Sequence, residues 1–211
     1  MKPLIRAIIF DVGGTLRVTD KRSRTDFSAI RELQQVIGDS DTPEDFIKKI
    51  HQREKTYRKW CKRSLIELSE ADLWSKFLLP DVPEQLVREN AMHFNQLWRD
   101  QRDKSMLPDA VKTIRTLAKR GFKLAIVSNT TSSTETPNML AANSLTDLFS
   151  PVILSTVFGR RKPHPSLFLE AARALRIPPE QCAYIGDNLA RDLVGARQAG
   201  FGEVVIINGH G

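Results

Sequence analysis

A chain of 211 residues can bury one good core, or a core domain plus a small accessory one. Hydrophobic residues at 41% and charged residues at 27% are ordinary for a globular protein, and the absence of any run of about 18 uncharged apolar residues excludes a transmembrane helix. The net charge of +7 raises the question of a nucleic-acid partner.

From the N-terminus, Leu4 to Phe10 is a run of mostly branched apolar residues leading into Asp11-Val12-Gly13-Gly14. Such a run fits a strand covered on both faces, as in a parallel sheet. It is too short for a signal peptide, an aspartate follows at once, and no small-residue cleavage site appears. A cytoplasmic protein is therefore expected.

Residues from about 18 to 104 show no convincing strand run and read as four helices. The first carries Phe27, Ile30, Leu33 and Ile37. The second has Pro43 near its start and contains the densest basic stretch, Lys48 to Arg63. Within it Phe46, Ile47, Ile50, Tyr57, Trp60 and Cys61 recur at helical spacing, so the cations form the solvent face of an amphipathic helix. No nucleic-acid or membrane partner is expected, although the positive face can attract anionic substrates. The third helix follows Ser69 as N-cap and carries Leu73, Trp74, Phe77 and Leu78. The fourth follows Pro83 and carries Leu86, Val87, Phe94, Leu97 and Trp98.

Strand and helix then alternate. Strand runs are expected at Lys123 to Ser128, Pro151 to Thr156, Ala183 to Ile185 and Glu203 to Ile207. Between them lie helical stripes at Val111–Ile114–Leu117–Ala118, Leu167–Phe168–Ala171–Leu175 and Leu193–Val194–Ala196–Ala199. Gly121, Pro178 and Gly200 stop these helices. The pattern predicts an α/β fold: a five-stranded parallel, Rossmannoid sheet with right-handed crossovers and an inserted all-helical domain. The sequence ends shortly after the last strand run, so no further C-terminal helix is expected. Cys61 and Cys182 are expected to be reduced, structural thiols, and no Cys/His cluster has zinc spacing.

In open α/β sheets ligands bind beyond the carboxyl ends of the strands, where strand order reverses. Asp11 follows the first strand, Ser128 and Asn129 close the second, Lys162 lies after the third, and Asp187 follows the fourth. If the first strand is central, these groups converge. Each has a plain alternative: an aspartate capping a helix, Lys162 solvated beside Arg160 and Arg161, and Gly13-Gly14 forming an ordinary turn.

Taken together, four segments resemble the four motifs of the haloacid dehalogenase-like hydrolases. They are FDVGGTL at 10–16, IVSN at 126–129, RKPHPSLF at 161–168 and IGDNLARDLVGARQAG at 185–200. They occur in the family's order, and the helical insertion sits where the subfamily I, C1-type cap is placed. The resemblance implies a core of residues 1–16 and 105–211 and a cap of residues 17–104. It implies that Asp11 is a nucleophile forming an aspartyl phosphate. Asp11, Asp187 and the backbone carbonyl of Gly13 would hold Mg2+, a hard cation that prefers oxygen. Ser128 and the amide of Asn129 would bind a phosphoryl oxygen, and Lys162 would neutralise charge between phosphate and carboxylates. Asp192 would bind the metal's water or cap the following helix.

One position departs from the family. Most of its phosphatases carry an aspartate two residues after the nucleophile, as general acid and base; Gly13 can do neither. Losing such a group typically costs about 10²–10⁴ in rate. The resemblance therefore implies a phosphatase of a small phosphorylated metabolite that is slow, or in which another protein group or a substrate group relays the proton; labile substrates with good leaving groups would suit it. Two alternatives stand beside it: a phosphonatase- or dehalogenase-type hydrolase, and a non-catalytic binding protein on the same scaffold. Arg17, Arg22 and Arg24, just past the first motif, are candidates to meet an anionic substrate group, or are linker and surface charges. The substrate and the oligomeric state are not legible.

Overall fold

The computed structural model describes residues 4–19, 27–99 and 104–207. Strand β1 (Ala7–Phe10) leads through a glycine turn into a short strand β2 (Arg17–Thr19). Four helical stretches follow: α1 (Phe27–Ile37), α2 (Pro43–Ser64), α3 (Glu70–Leu73), which runs on as a π-helical turn over Trp74–Leu78, and α4 (Glu84–Arg99). Strand β3 (Lys104–Met106) returns the chain to α5 (Pro108–Lys119), β4 (Lys123–Ser128) and α6 (Glu135–Ala142). Then come β5 (Phe149–Leu154), α7 (Ser155–Phe158), α8 (Ser166–Leu175) and β6 (Cys182–Gly186). A π-helical turn over Leu189–Leu193, α9 (Val194–Gln198) and β7 (Glu203–Ile206) complete the described chain.

The main sheet has the order β5–β4–β1–β6–β7, with every neighbouring pair parallel. β1 is central. Its side chains alternate between two buried clusters: Ala7 and Ile9 pack with Phe168 and Ala171 of α8, Ile8 and Phe10 with Ile114 of α5. Both faces are covered, which is why the strand reads as a continuous apolar run rather than an alternating one.

The inserted helices have a core of their own, built from Ile30, Leu33, Phe46, Ile50, Trp74 and Phe94. Thr42 caps α2 by accepting the Asp45 amide, and Ser69 caps α3 by accepting the Asp72 amide. The basic face of α2 is laced with local acids: Lys49 pairs with Asp39 and Asp41, Arg53 with Asp81, and Arg58 with Glu54. Cys61 and Cys182 are both free and buried. Among the described residues no helix is long and apolar enough to cross a membrane.

Three expectations need correction. The stretch from 18 to 104 is not free of strand: β2 and β3 pair antiparallel at its two ends, Arg17 against Met106 and Thr19 against Lys104. Three-residue strands carry no readable period, and this pair is specified by the meeting of segments far apart in sequence. The strand expected at 151–156 runs instead from Phe149 to Leu154, because Phe149 pairs with Leu124, while Ser155 and Thr156 open α7. The helix expected to carry Leu193 begins earlier, as the π-helical turn at Leu189, with the Asn188 side chain accepting the Arg191 amide.

Candidate active site

The central place of β1 brings the expected groups together. Phe10 is level with Ile126 of β4 and Ile185 of β6, so Asp11 leaves the sheet between the ends of those two strands. The Asp11 amide donates to the Ile185 carbonyl at 2.9 Å, and its carboxylate is buried. The next turn depends on glycine. Gly14 has φ +78°, and a Cβ there would stand 2.2 Å from Asp187 Oδ2. Only a residue without a side chain lets the Asp187 carboxylate come this close. Gly186 plays the same part for Asp192, whose carboxylate lies 2.6 Å from where its Cβ would be. A Cβ at Gly13, by contrast, would meet nothing within 4 Å among the described residues.

Lys162 is the best-held side chain in the site. Its ammonium is wholly buried and donates to Asp11 Oδ1 at 2.8 Å and to Tyr184 Oη at 2.7 Å, and it lies 2.7 Å from Asp192 Oδ1. An ammonium has three N–H groups, and here all three are matched, which is what a buried charge requires. Asn129 locks the backbone below it: its Oδ1 accepts the Lys162 amide at 2.8 Å and its Nδ2 donates to the Lys162 carbonyl at 3.0 Å. Ser128 is buried at the end of β4, beside this clamp.

Asp192, expected on the metal's water or as a helix cap, is fully buried against Lys162. Its Oδ1 also faces Tyr184 Oη at 3.2 Å, and its Oδ2 accepts the Asn188 amide at 3.1 Å. It therefore positions Lys162 and closes the helix start at once. One oxygen each of Asp11, Asp187 and Asp192 lie within 4.8 Å of one another, an oxygen-only donor set. Burial pushes the Asp187 carboxyl above the usual carboxylate range, and the charges of Asp11 and Asp192 add to this while Arg191 opposes it.

Tyr184 and Arg191 were not among the expected site residues. A tyrosine on a strand buried on both faces needs a partner for its hydroxyl, a sequence signal that marks Tyr184 without revealing the partner. Burial, with Asp11 and Asp192 nearby, holds its hydroxyl firmly protonated. Arg191 stands four residues after Asp187, a spacing that pairs side chains on a helical turn. Its guanidinium lies 2.8 Å from Asp187, 3.7 Å from Asp11 and 3.8 Å from Asp192. Among the described residues its buried Nε has no acceptor.

The helical insertion reaches the loops that carry these groups. Glu67 is buried where it accepts from Tyr57 and Ser155 and pairs with Arg161, the neighbour of Lys162. Burial raises its carboxyl above the usual range. Glu70 accepts from the Ser133 amide at 3.1 Å and from Asn95 at 2.9 Å. Arg17 does not face this site. It pairs with Glu135, as do Arg99 and Lys104, beside a cavity of about 420 Å³ between the β2–β3 ribbon and α6. Arg22 and Arg24 lie outside the described residues.

The chain is similar to known proteins over most of its length. A family model described as haloacid dehalogenase-like hydrolase matches residues 5–200. A glyceraldehyde 3-phosphate phosphatase of Methanopyrus kandleri is 28% identical over 98% of this chain and 85% of its own length. A phosphoserine phosphatase of Thermus thermophilus is 34% identical over 61% of this chain and 49% of its own length. Among solved structures, a 2-haloacid dehalogenase from Pseudomonas syringae superposes with a TM-score of 0.65 at 19% identity, covering 96% of this chain and 86% of that one. A HAD phosphatase from Thermococcus onnurineus does so with a TM-score of 0.55 at 22% identity, covering 98% of this chain and 88% of that one.

Proposed function

As the chain belongs to the haloacid dehalogenase-like hydrolases, we propose that it is a Mg2+-dependent phosphatase of a small phosphorylated metabolite, with Asp11 as nucleophile. The observation that carries this reading is the Asp11 carboxylate. It stands at the end of the central strand, with the Lys162 ammonium 2.8 Å from one oxygen and the Asp187 carboxylate alongside. The phosphatase relatives support a phosphate monoester as substrate class. The acidic trio favours this reading over a dehalogenase, which needs no such donor set.

The residues present fit Mg2+. Asp11, Asp187 and the Gly13 carbonyl would hold it, while both oxygens of Asp192 are already engaged by Lys162 and the Asn188 amide. When bound, the ion supplies charge neutralisation for the phosphoryl group. Asp11 attacks phosphorus, forming the aspartyl phosphate as the bond to the leaving oxygen breaks. Lys162 holds the Asp11 carboxylate in place and balances the anionic charge gathered there, and Asp192, Tyr184 and Asn129 keep Lys162 from moving. Ser128 and the Asn129 amide would receive a phosphoryl oxygen. The second step returns Asp11 when water attacks the aspartyl phosphate.

Neither step has a proton carrier at position 13. Lys162 is saturated with partners and Tyr184 is sealed below it, so the leaving oxygen departs without a proton from these groups. Acyl, aryl and other activated phosphates suit such a site better than alkyl ones. Purified protein with Mg2+ should hydrolyse an aryl phosphate and acetyl phosphate, and acid quench should trap phosphate on Asp11. The Asp11→Asn variant should lose at least about 10³-fold in kcat. Turnover that survives Asp11→Asn, or phosphate-ester binding with no turnover at all, would overturn the reading.

A further inference from the structure

We infer that Arg191 is an internal cation that competes with the divalent ion for Asp11 and Asp187, so that loading the site requires its guanidinium to leave. The inference rests on the reading of those two carboxylates as metal ligands.

The first observation is position. One guanidinium nitrogen of Arg191 is 2.8 Å from Asp187 Oδ1, 3.7 Å from Asp11 Oδ2 and 3.8 Å from Asp192 Oδ2. It faces all three carboxylates and is closest to one of the two that would take the ion. The second is charge. With Lys162 fixed, the three carboxylates leave two negative charges, the charge that a divalent ion cancels. With Arg191 also in place one negative charge is left, and an incoming divalent ion would overshoot. The two cations are thus alternatives, and in the metal-free protein Arg191 relieves the mutual repulsion of the carboxylates.

The third observation is freedom to move. The Lys162 side chain is wholly buried and triply bonded, whereas the Arg191 side chain keeps 36% of its exposure. The Arg191 amide stays bound to the Asn188 side chain at 3.0 Å, so the side chain can turn out to solvent without unwinding the helix start. A guanidinium cannot be neutralised by pH, so movement is its way of yielding the carboxylates.

The test is calorimetric titration of the full chain with Mg2+, for the wild type, Arg191→Gln and Arg197→Gln. Arg197 is exposed on α9 and controls for loss of a distant charge at about 0.1 M salt. The expected result is Mg2+ binding about tenfold tighter or more in Arg191→Gln, with Arg197→Gln within about twofold of wild type. Metal-free Arg191→Gln should also melt below wild type and gain more from Mg2+. Equal affinity in wild type and Arg191→Gln, or weaker affinity in the variant, would overturn the inference and leave the metal site standing. No Mg2+ binding by either protein would overturn the inference and the metal-dependent reading together.

Discussion

Two clusters of buried charge in this chain use the same kinds of side chain in opposite proportion. At the carboxyl edge of the sheet, Asp11, Asp187 and Asp192 face Lys162 and Arg191. Where the helical insertion meets the sheet, Arg17, Arg99 and Lys104 close on Glu135. The second cluster finds further partners within itself: Arg99 also donates to Thr131 Oγ1, and Lys104 to the Arg99 carbonyl. Burial alone would raise the Glu135 carboxyl, but Arg99 and Arg17, with the hydrogen bonds from Lys104 and Arg99, outweigh it and hold it at about 2. Such a cluster clasps two crossings of the chain to α6. The first cluster instead turns one oxygen each of Asp11, Asp187 and Asp192 toward one another, and the proposed metal-dependent reading rests on that oxygen-only donor set.

The contrast can be broken by substitution. The largest stability effect is expected for Lys162→Met, which strips the shared cation from two buried carboxylates and should cost about 3–5 kcal/mol in urea unfolding. A loss below about 1 kcal/mol would mean that water or another group replaces Lys162. Glu135→Gln should cost less, about 2 kcal/mol, because Arg17, Arg99 and Lys104 can turn to solvent. Its pH dependence gives a separate check. The folded-state pKa of about 2 lies below the ordinary carboxylate value, so the Glu135 contribution is fully present above about pH 4.3 and is lost as pH falls through about 2. The stability gap between wild type and Glu135→Gln should shrink across that window; a constant gap would show that the clasp does not depend on the charge. The smallest effect is expected for Tyr184→Phe, about 1 kcal/mol, with a several-fold fall in kcat and little change in KM. An unchanged kcat would show that Asp192 and Asn129 suffice to hold Lys162.

Legibility in the sequence follows the range of the interactions. β1 and β4 announce themselves because each is buried on both faces over its own length. Asp11 and Asp187 follow recognisable strand runs and Lys162 lies in the loop after another, and it is their joint order, not any one of them, that makes the set stand out. β2 and β3 do not, because three residues have no period and each exists only through the other, 85 residues and more away. Asp192 was legible as a residue at the helix start but not as a partner of Lys162, which comes from a different loop. Glu67 and Glu70 look like ordinary charges between helices; only the fold places them against Ser155 and Ser133.

On the proposed reading, Gly13 removes a proton-transfer group while Asp11, Asp187 and Lys162 keep their places. The open space around Gly13 makes it directly testable, because Gly13→Asp can be built without a clash at its Cβ. Hydrolysis rates should be measured for wild type and Gly13→Asp on phosphate esters whose leaving groups span acidic phenols to simple alcohols. The wild type should fall steeply as the leaving group becomes more basic, and Gly13→Asp should flatten that slope, gaining about 10²–10⁴ on alkyl phosphates and far less on activated ones. Parallel slopes for the two proteins would contradict the account.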